Sequence, residues 1–207
     1  MPKTSAFRVK QGWLTCFLAA AFTLLSLHSA LAYRVVVIDA GHGGSDPGAH
    51  WYGVKEKALT LDVAKRVETL LRKNGVTTVM TRRSDKTVSL GSRAAIANKY
   101  RDSLLVSIHF NASRNTLITG HETFYRSSRG AKIASKVQRG ISECVKSKSR
   151  GITAKRFAVL RLTSGPAILV ECAFMSNRSE ARRCMTASHR QSLALGIARG
   201  ILRSKRL

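Results

Sequence analysis

The sequence predicts a single α/β domain in which helices sandwich a mostly parallel, twisted sheet. Short apolar runs rich in β-branched residues, over 35–38, 104–108 and 166–170, have the length and composition of buried strands. Segments whose apolar residues recur with helical spacing alternate with these runs, and this alternation is typical of parallel α/β proteins. At 207 residues, the chain is long enough to bury one hydrophobic core.

The helix predicted after the first strand has the clearest pattern in the first half of the chain. Leu59, Val63 and Val67 share one face, and Asn74-Gly75 supplies a stop signal. The elements of this half are, in order, a strand over 35–38, a Gly-rich polar loop over 41–55, a helix over 56–73, a strand over 76–80 and a helix over 90–100.

The second half contains two further buried strands. Pro166 begins the last of them, at a strand position where proline is tolerated. The elements of this half are, in order, a strand over 104–108, an edge strand over 120–125, a helix over 131–145, a short extended piece over 157–162, a strand over 166–170 and a helix over 188–203. Because no repeat or linker interrupts residues 33–207, we expect one domain there.

Residues 1–32 have the pattern of a secretory signal peptide. Three basic residues precede an apolar stretch over 13–27, and Ala30-Leu31-Ala32 offers small residues for cleavage. Processing would leave residues 33–207 without a transmembrane span, exported to the periplasm, the extracellular space or the cell wall. The alternative is an uncleaved membrane anchor, because the apolar stretch could extend to Ala32.

The chain is strongly basic. Three of its 36 Lys and Arg residues lie in residues 1–32, so the remaining 33 basic residues outnumber the 11 acidic ones by 22. This charge favours anionic polymers. Export argues against nucleic acid and favours anionic envelope polymers or a murein surface. The alternative is a solvated basic surface with no specific partner.

Three cysteines would remain after processing. A disulfide between Cys144 and Cys184 is compatible with an exported protein, while Cys172, next to an apolar run, is expected in the core. No pair of cysteines or of cysteine and histidine has the spacing of a zinc finger.

Two histidines lie at or just beyond the ends of predicted buried strands. His42 follows the first strand, and His109 follows the run over 104–108. Parallel sheets hold ligands outside the carboxyl ends of their strands, and Glu56 begins the following helix within reach. Two imidazoles and one carboxylate leave a fourth position for water, as in catalytic zinc sites. The sequence therefore predicts that His42, Glu56 and His109 bind Zn²⁺. The other histidines, His50, His121 and His189, are predicted to lie at the surface.

Glu171 is the candidate proton-transfer residue. It directly follows the apolar run over 166–170, where burial would raise its pKa towards neutrality, as a general acid or base requires. The alternative is a buried, hydrogen-bonded structural acid. Asp39 and Asn111 lie beside the predicted ligands and could either orient them or form turns.

Several stretches, in order along the chain, match a known family. They are VIDAGHGG over 37–44 with DPGA over 46–49, Glu56, LGSRAAIANK over 90–99, SIHFNA over 107–112 and AILVECAFMSN over 167–177. With them the chain resembles the zinc-dependent N-acetylmuramoyl-L-alanine amidases of bacterial cell-wall turnover. The resemblance implies that His42, Glu56 and His109 bind zinc and that Glu171 is catalytic. It also implies a peptidoglycan substrate, either the murein sacculus or muropeptides, cut between N-acetylmuramic acid and the L-alanine of the stem peptide.

Residues 33–207 would then form the catalytic amidase domain, acting as a monomer. The segment between Tyr125 and Pro166 is too short for the inhibitory helix that some relatives carry, so we expect activity without an activator. Two other functions stay open. The same residues would serve a carboxypeptidase-like zinc peptidase acting within the stem peptide, and a basic wall-binding protein without catalytic activity could keep the same fold.

Overall fold

A computed structural model describes residues 33–205, together with Met1. The predicted signal peptide, Met1 apart, lies outside the described residues. Within 33–205, no helix combines the length and the apolar character needed to cross a membrane.

The described residues form eight strands and six helices. The strands are β1 (Val35–Ala40), β2 (His50–Trp51), β3 (Val54–Lys55), β4 (Thr77–Met80), β5 (Ser103–Asn111), β6 (His121–Tyr125), β7 (Ser149–Ala154) and β8 (Ala167–Phe174). The helices are α1 (Glu56–Lys73), α2 (Leu90–Asn98), α3 (Ser128–Cys144), α4 (Ala158–Leu162), α5 (Arg178–Met185) and α6 (Ala187–Ser204).

Six of these strands form one sheet, in the order β4-β1-β5-β8-β6-β7. The first four are parallel, whereas β6 pairs antiparallel with β8 and β7 pairs parallel with β6. The predicted mostly parallel sheet is therefore confirmed. Because β1, β5 and β8 are neighbours and parallel, their carboxyl ends meet at one edge of the sheet.

Helices cover both faces of the sheet, as predicted. Val36 and Ile38 join a large core with α1, α3 and α6, while Val37 joins a smaller core with α2 and α4. Successive strand side chains point to opposite faces. Burial of both faces explains why β1 is a continuous apolar run rather than an alternating one.

Residues 157–162 are largely helical, so the predicted extended piece is wrong. Val159 and Leu160 are neighbours in α4, yet both are buried in the smaller core, and an extended strand would have sent them to opposite faces. The hydroxyl of Thr163 closes the helix by donating to the carbonyl oxygen of Val159 at 2.7 Å.

The predicted edge strand, β6, lies inside the sheet because β7 covers its outer side. β7 was not predicted, since it is mostly polar, contains Gly151 and buries none of its residues. α5 was also missed, because it is highly charged. Its sequence signal is the spacing of Asn177 and Glu180, since the Asn177 side chain caps the helix by accepting from the Glu180 backbone N–H at 3.1 Å.

Cys144, Cys172 and Cys184 are free thiols in the structure, so the Cys144–Cys184 disulfide is not formed. Cys172 is buried in the large core, as predicted, and Cys184 is buried there too.

Glycines allow α3 and α6 to pack backbone against backbone. A Cβ added at Gly196 would lie 2.6 Å from Cα of Ile141 and 2.7 Å from the carbonyl oxygen of Gly140. Both neighbours are main-chain atoms of α3, so they cannot give way as a flexible side chain would.

We expect Gly196→Ala to lower the free energy of unfolding by about 1–3 kcal/mol, because the added methyl overpacks this helix pair. Gly91→Ala is the matched control. It lies in α2 with open space around it, so a rise of up to about 1 kcal/mol from helix propensity is expected. Urea denaturation of both variants checks this. A Gly196→Ala protein as stable as the parent would contradict the packing argument.

Candidate metal centre

The three predicted ligands converge at the edge where β1, β5 and β8 end. His42 follows β1, Glu56 is the first residue of α1 and His109 lies within β5. One nitrogen or oxygen atom from each of the three lies within 4.8 Å of the others. The structure thus brings together the residues that the sequence singled out.

Glu56 connects the two imidazoles. Its Oε2 lies 3.0 Å from Nε2 of His42, and its Oε1 lies 3.0 Å from Nδ1 of His109. The backbone N–H groups of Ala49 and Phe110 each donate to this carboxylate at 2.9 Å. Burial alone would raise the pKa of Glu56, but the hydrogen bonds from His109 and His42 lower it to about 2. Glu56 is therefore held ionised.

Asp46 orients His42. Its Oδ2 lies 2.7 Å from Nδ1 of the imidazole, which leaves Nε2 directed at Glu56. Burial acts to lower the pKa of His42, yet Glu56 and Asp46 raise it to about 9. A carboxylate on one ring nitrogen fixes the tautomer and orientation that metal-binding histidines need on the other.

Small residues allow the close approach of these groups. A Cβ added at Gly41 would lie 2.5 Å from Nε2 of His109, and one at Gly48 would lie 2.6 Å from Oε2 of Glu56. His42 itself adopts a left-handed backbone, with φ of 59°. This conformation is unfavourable for residues other than glycine, so the surrounding contacts must hold it.

The residues present fit a zinc ion. Two imidazole nitrogens and a carboxylate are the donor set of catalytic zinc, and ligand atoms about 2 Å from a shared ion lie roughly 3–3.5 Å apart. The distances of 3.0 Å between Glu56 and the two imidazoles are close to that separation. Asp46, Ala49 and Phe110 already supply the outer contacts that would keep these ligands in place.

Glu171 lies directly across from His109. β5 and β8 extend further than predicted, so both residues are within strands, paired in register. A β-bulge follows between His109 and Asn111, a feature common beside functional sites. Oε2 of Glu171 is buried without a hydrogen-bond partner among the described residues. Burial raises the pKa of Glu171 to about 7, although the nearby His109 charge acts to lower it.

A surface cleft of about 350 Å³ is lined by the side chains of His42, Glu56, His109 and Glu171. Two exposed apolar side chains, Leu90 of α2 and Phe157 beside α4, also line it. The aromatic ring of Phe157 is held edge-on against Phe124, with the ring centroids 5.2 Å apart. The lining of the cleft therefore combines polar side chains with an exposed apolar surface.

Neither Asp39 nor Asn111 contacts the side chain of His42, Glu56 or His109. Asp39 is fully buried and binds Arg93, Thr81 and Ser107 rather than an imidazole. Asn111, the last residue of β5, accepts from the Ala112 backbone N–H at 2.8 Å and donates to Glu122 at 2.9 Å.

Sequence reasoning missed Asp46 and Glu122. Asp46 is four residues after His42, and that spacing in a Gly-rich loop was the available signal. Glu122 is the cross-strand partner of Glu171 in β6, and its charge acts to raise the Glu171 pKa. Its proximity follows from the antiparallel pairing of β6 with β8, which the apolar pattern does not encode.

The prediction for His121 is wrong, whereas His50 is exposed and His189 half-buried. His121 is fully buried, with its two ring nitrogens at 2.8 Å from Ser147 Oγ and 3.1 Å from Ser142 Oγ. Burial lowers its pKa to about 4. His121 is buried because β6 is an interior strand and α3 covers this face.

The fold and the site define an α/β protein with a candidate metal centre at the carboxyl edge of a parallel sheet. The family model for N-acetylmuramoyl-L-alanine amidase (Amidase_3) matches residues 36–203. The chain therefore belongs to this family.

Individual relatives agree with this assignment. The chain is 32% identical to the amidase LytC of Bacillus subtilis, over 84% of this chain and 36% of that protein. It is 37% identical to a sporulation-specific N-acetylmuramoyl-L-alanine amidase of the same organism, over 80% of this chain and 66% of that protein. The solved structure of the amidase AmiC2 of Nostoc punctiforme is 39% identical with a TM-score of 0.79, covering 84% of this chain and 97% of that one. The chain thus spans about a third of LytC and about two thirds of the sporulation-specific amidase.

We expect Asp46→Asn to lower the pKa of His42 below about 9 in the metal-free protein, because an amide cannot stabilise the imidazolium as a carboxylate does. Titration of the imidazole protons by NMR measures the change. Asp85→Asn is the control, since Asp85 binds the same loop through the Gly44 backbone N–H but does not contact His42. Equal His42 titration curves in the parent and Asp46→Asn proteins would contradict the assigned role.

Proposed function

We propose that this chain is a zinc-dependent amidase that hydrolyses the bond between N-acetylmuramic acid and the L-alanine of the peptidoglycan stem peptide. The observation that carries the proposal is the convergence of His42, Glu56 and His109 beside Glu171 in one surface cleft. Membership of the amidase family supports the choice of substrate.

His42, Glu56 and His109 would hold the zinc ion. When bound, zinc supplies a Lewis acid that polarises a carbonyl group and lowers the pKa of water. The pKa of Glu56 supports this role, because a carboxylate that stays ionised at neutral pH is a ready metal ligand.

Glu171 would transfer the proton. As a carboxylate it accepts a proton from the attacking water, while the water oxygen bonds to the carbonyl carbon of the lactyl group. It then returns that proton to the nitrogen of L-alanine as the carbon–nitrogen bond breaks. A pKa of about 7 suits both steps, since the group can be deprotonated and reprotonated near neutral pH.

The basic surface and the N-terminal segment fit action in the cell envelope. We infer that residues 1–32 direct export and that residues 33–207 act in the periplasm or at the cell wall. Their excess of 22 positive charges would attract the anionic polymers found there.

Replacing both His42 and His109 by alanine should abolish zinc binding, because one carboxylate alone is a poor zinc site. Metal analysis after dialysis against zinc measures this, and His50→Ala should keep one zinc ion per chain, since His50 is exposed and outside the cluster. Stoichiometric zinc in the double variant would overturn the ligand assignment.

Glu171→Gln should keep zinc and the fold while kcat falls by roughly 10²–10⁴-fold, the usual contribution of general acid–base catalysis. The control Glu143→Gln makes the same chemical change at a surface residue paired with Arg139 and Arg203, and should keep full activity. If zinc were lost from Glu171→Gln, Glu171 would instead be a ligand.

Binding to insoluble murein should weaken as salt rises from low to moderate concentration, because attraction between exposed charges is screened over about 10 Å at 0.1 M. Turnover of a small, neutral muropeptide should change far less over the same range. Co-sedimentation and turnover assays in parallel test this. Binding to sacculi that is indifferent to salt would argue against attraction by charge.

A further inference from the structure

Two buried arginines lie directly behind the candidate metal centre. Arg82, which follows β4, is 1% exposed, and Arg93, in the LGSRAAIANK stretch of α2, is 4% exposed. Neither contacts the side chain of His42, Glu56 or His109. Both instead donate to main-chain carbonyls of the segment that carries His42.

Arg82 joins the segments of two ligands. Its Nη2 donates at 2.8 Å to the carbonyl oxygen of Gly41, the residue before His42. The same nitrogen donates at 2.8 Å to the carbonyl oxygen of Lys57, the residue after Glu56. A single guanidinium thus sets the separation between the loop after β1 and the start of α1.

Arg93 holds the same loop from the opposite face of the sheet. Its Nη1 donates to the carbonyl oxygen of Ala40 and its Nη2 to that of His42 itself, both at 2.6 Å. Its Nη1 also lies 2.6 Å from Oδ1 of Asp39. Oδ2 of Asp39 accepts from the hydroxyl of Ser107 at 2.6 Å, two residues before His109 in β5. Arg93 is therefore linked to the strands of both histidines.

These contacts explain how His42 keeps its left-handed backbone. A buried carbonyl without a donor is strongly unfavourable, and the carbonyls of Ala40, Gly41 and His42 all receive one from an arginine. The planar guanidinium offers five N–H donors in a fixed, forked geometry, which suits several carbonyls whose positions must be held. Lysine would keep the charge but offer three donors without that fixed geometry.

We propose that Arg82 and Arg93 are positioning residues that preorganise His42 and Glu56 for metal binding by holding the main chain on either side of them. The inference rests on the proposed function in one respect, since it takes zinc as the ligand of this centre.

The test compares zinc affinity in Arg82→Lys and Arg93→Lys with that of the parent chain. Affinity for zinc alone is measured by competition with a chromogenic chelator, and the thermal stability of each metal-free protein is measured beside it. Each variant should bind zinc roughly 10–100-fold more weakly, the usual effect of losing an outer contact of a metal site.

Arg190→Lys is the matched control. Arg190 pairs with Asp62 at 2.5 Å and donates to the carbonyl oxygens of Cys184 and Met185 at 2.8 and 2.7 Å. It makes the same kinds of contact away from the metal centre. Its replacement should lower thermal stability and leave zinc affinity unchanged.

Parent-like zinc affinity in folded Arg82→Lys and Arg93→Lys proteins would overturn the inference, as would an equal loss in Arg190→Lys. If either site variant is unfolded without metal, saturating zinc should restore it, because binding stabilises the native state. Failure of both to fold in saturating zinc would assign the arginines to folding rather than to metal positioning. A parent chain that does not bind zinc would instead refute the proposed function.

Discussion

A single buried carboxylate, Asp39, ties the candidate site to the sheet. It accepts hydrogen bonds from Arg93, Thr81 and Ser107, and so joins the end of β1 to α2, to the residue after β4 and to β5. A buried charge that loses its partner costs several kcal/mol, so these elements must assemble together. The position of His42 depends on this junction, because Arg93 also holds its carbonyl oxygen.

The surroundings of two carboxylates at the site shift their pKa values in opposite directions. Burial acts to raise the pKa of Glu56, but its hydrogen bonds with His109 and His42 lower it to about 2. Oε2 of Glu171 is buried without a hydrogen-bond partner among residues 33–205, and burial raises the pKa of this carboxyl group to about 7. Two carboxylates whose pKa values are separated in this way can take different roles, and those proposed here are a metal ligand for Glu56 and a proton carrier for Glu171. The proposed hydrolysis needs both.

The sequence predicted the sheet class and the side chains that meet in the cleft, because continuous apolar runs mark strands buried on both faces and the site residues follow those runs. The sequence-based prediction failed where the pairing of strands, rather than the apolar pattern of the chain, determines the structure. β7 buries no residue and is defined by its pairing with β6, which makes β6 an interior strand, and His121 is buried there beneath α3. The residues that support the site were also not predicted, because Arg82 and Glu122 reach it through loop and strand geometry. Asp46 and Arg93 lay in recognised stretches, but the pattern of side chains does not show that Asp46 contacts His42 or that Arg93 donates to main-chain carbonyls.

Under the proposed function, cleavage of the amide bond to L-alanine requires zinc at this centre. A defined muropeptide is digested with and without a zinc chelator, and the products are identified by mass spectrometry. We expect an intact stem peptide with a free L-alanine amino group and a released muramyl sugar, both absent when zinc is removed and restored when it is returned. A shortened stem peptide still attached to the sugar, or undiminished cleavage in the chelator, would contradict the proposed function.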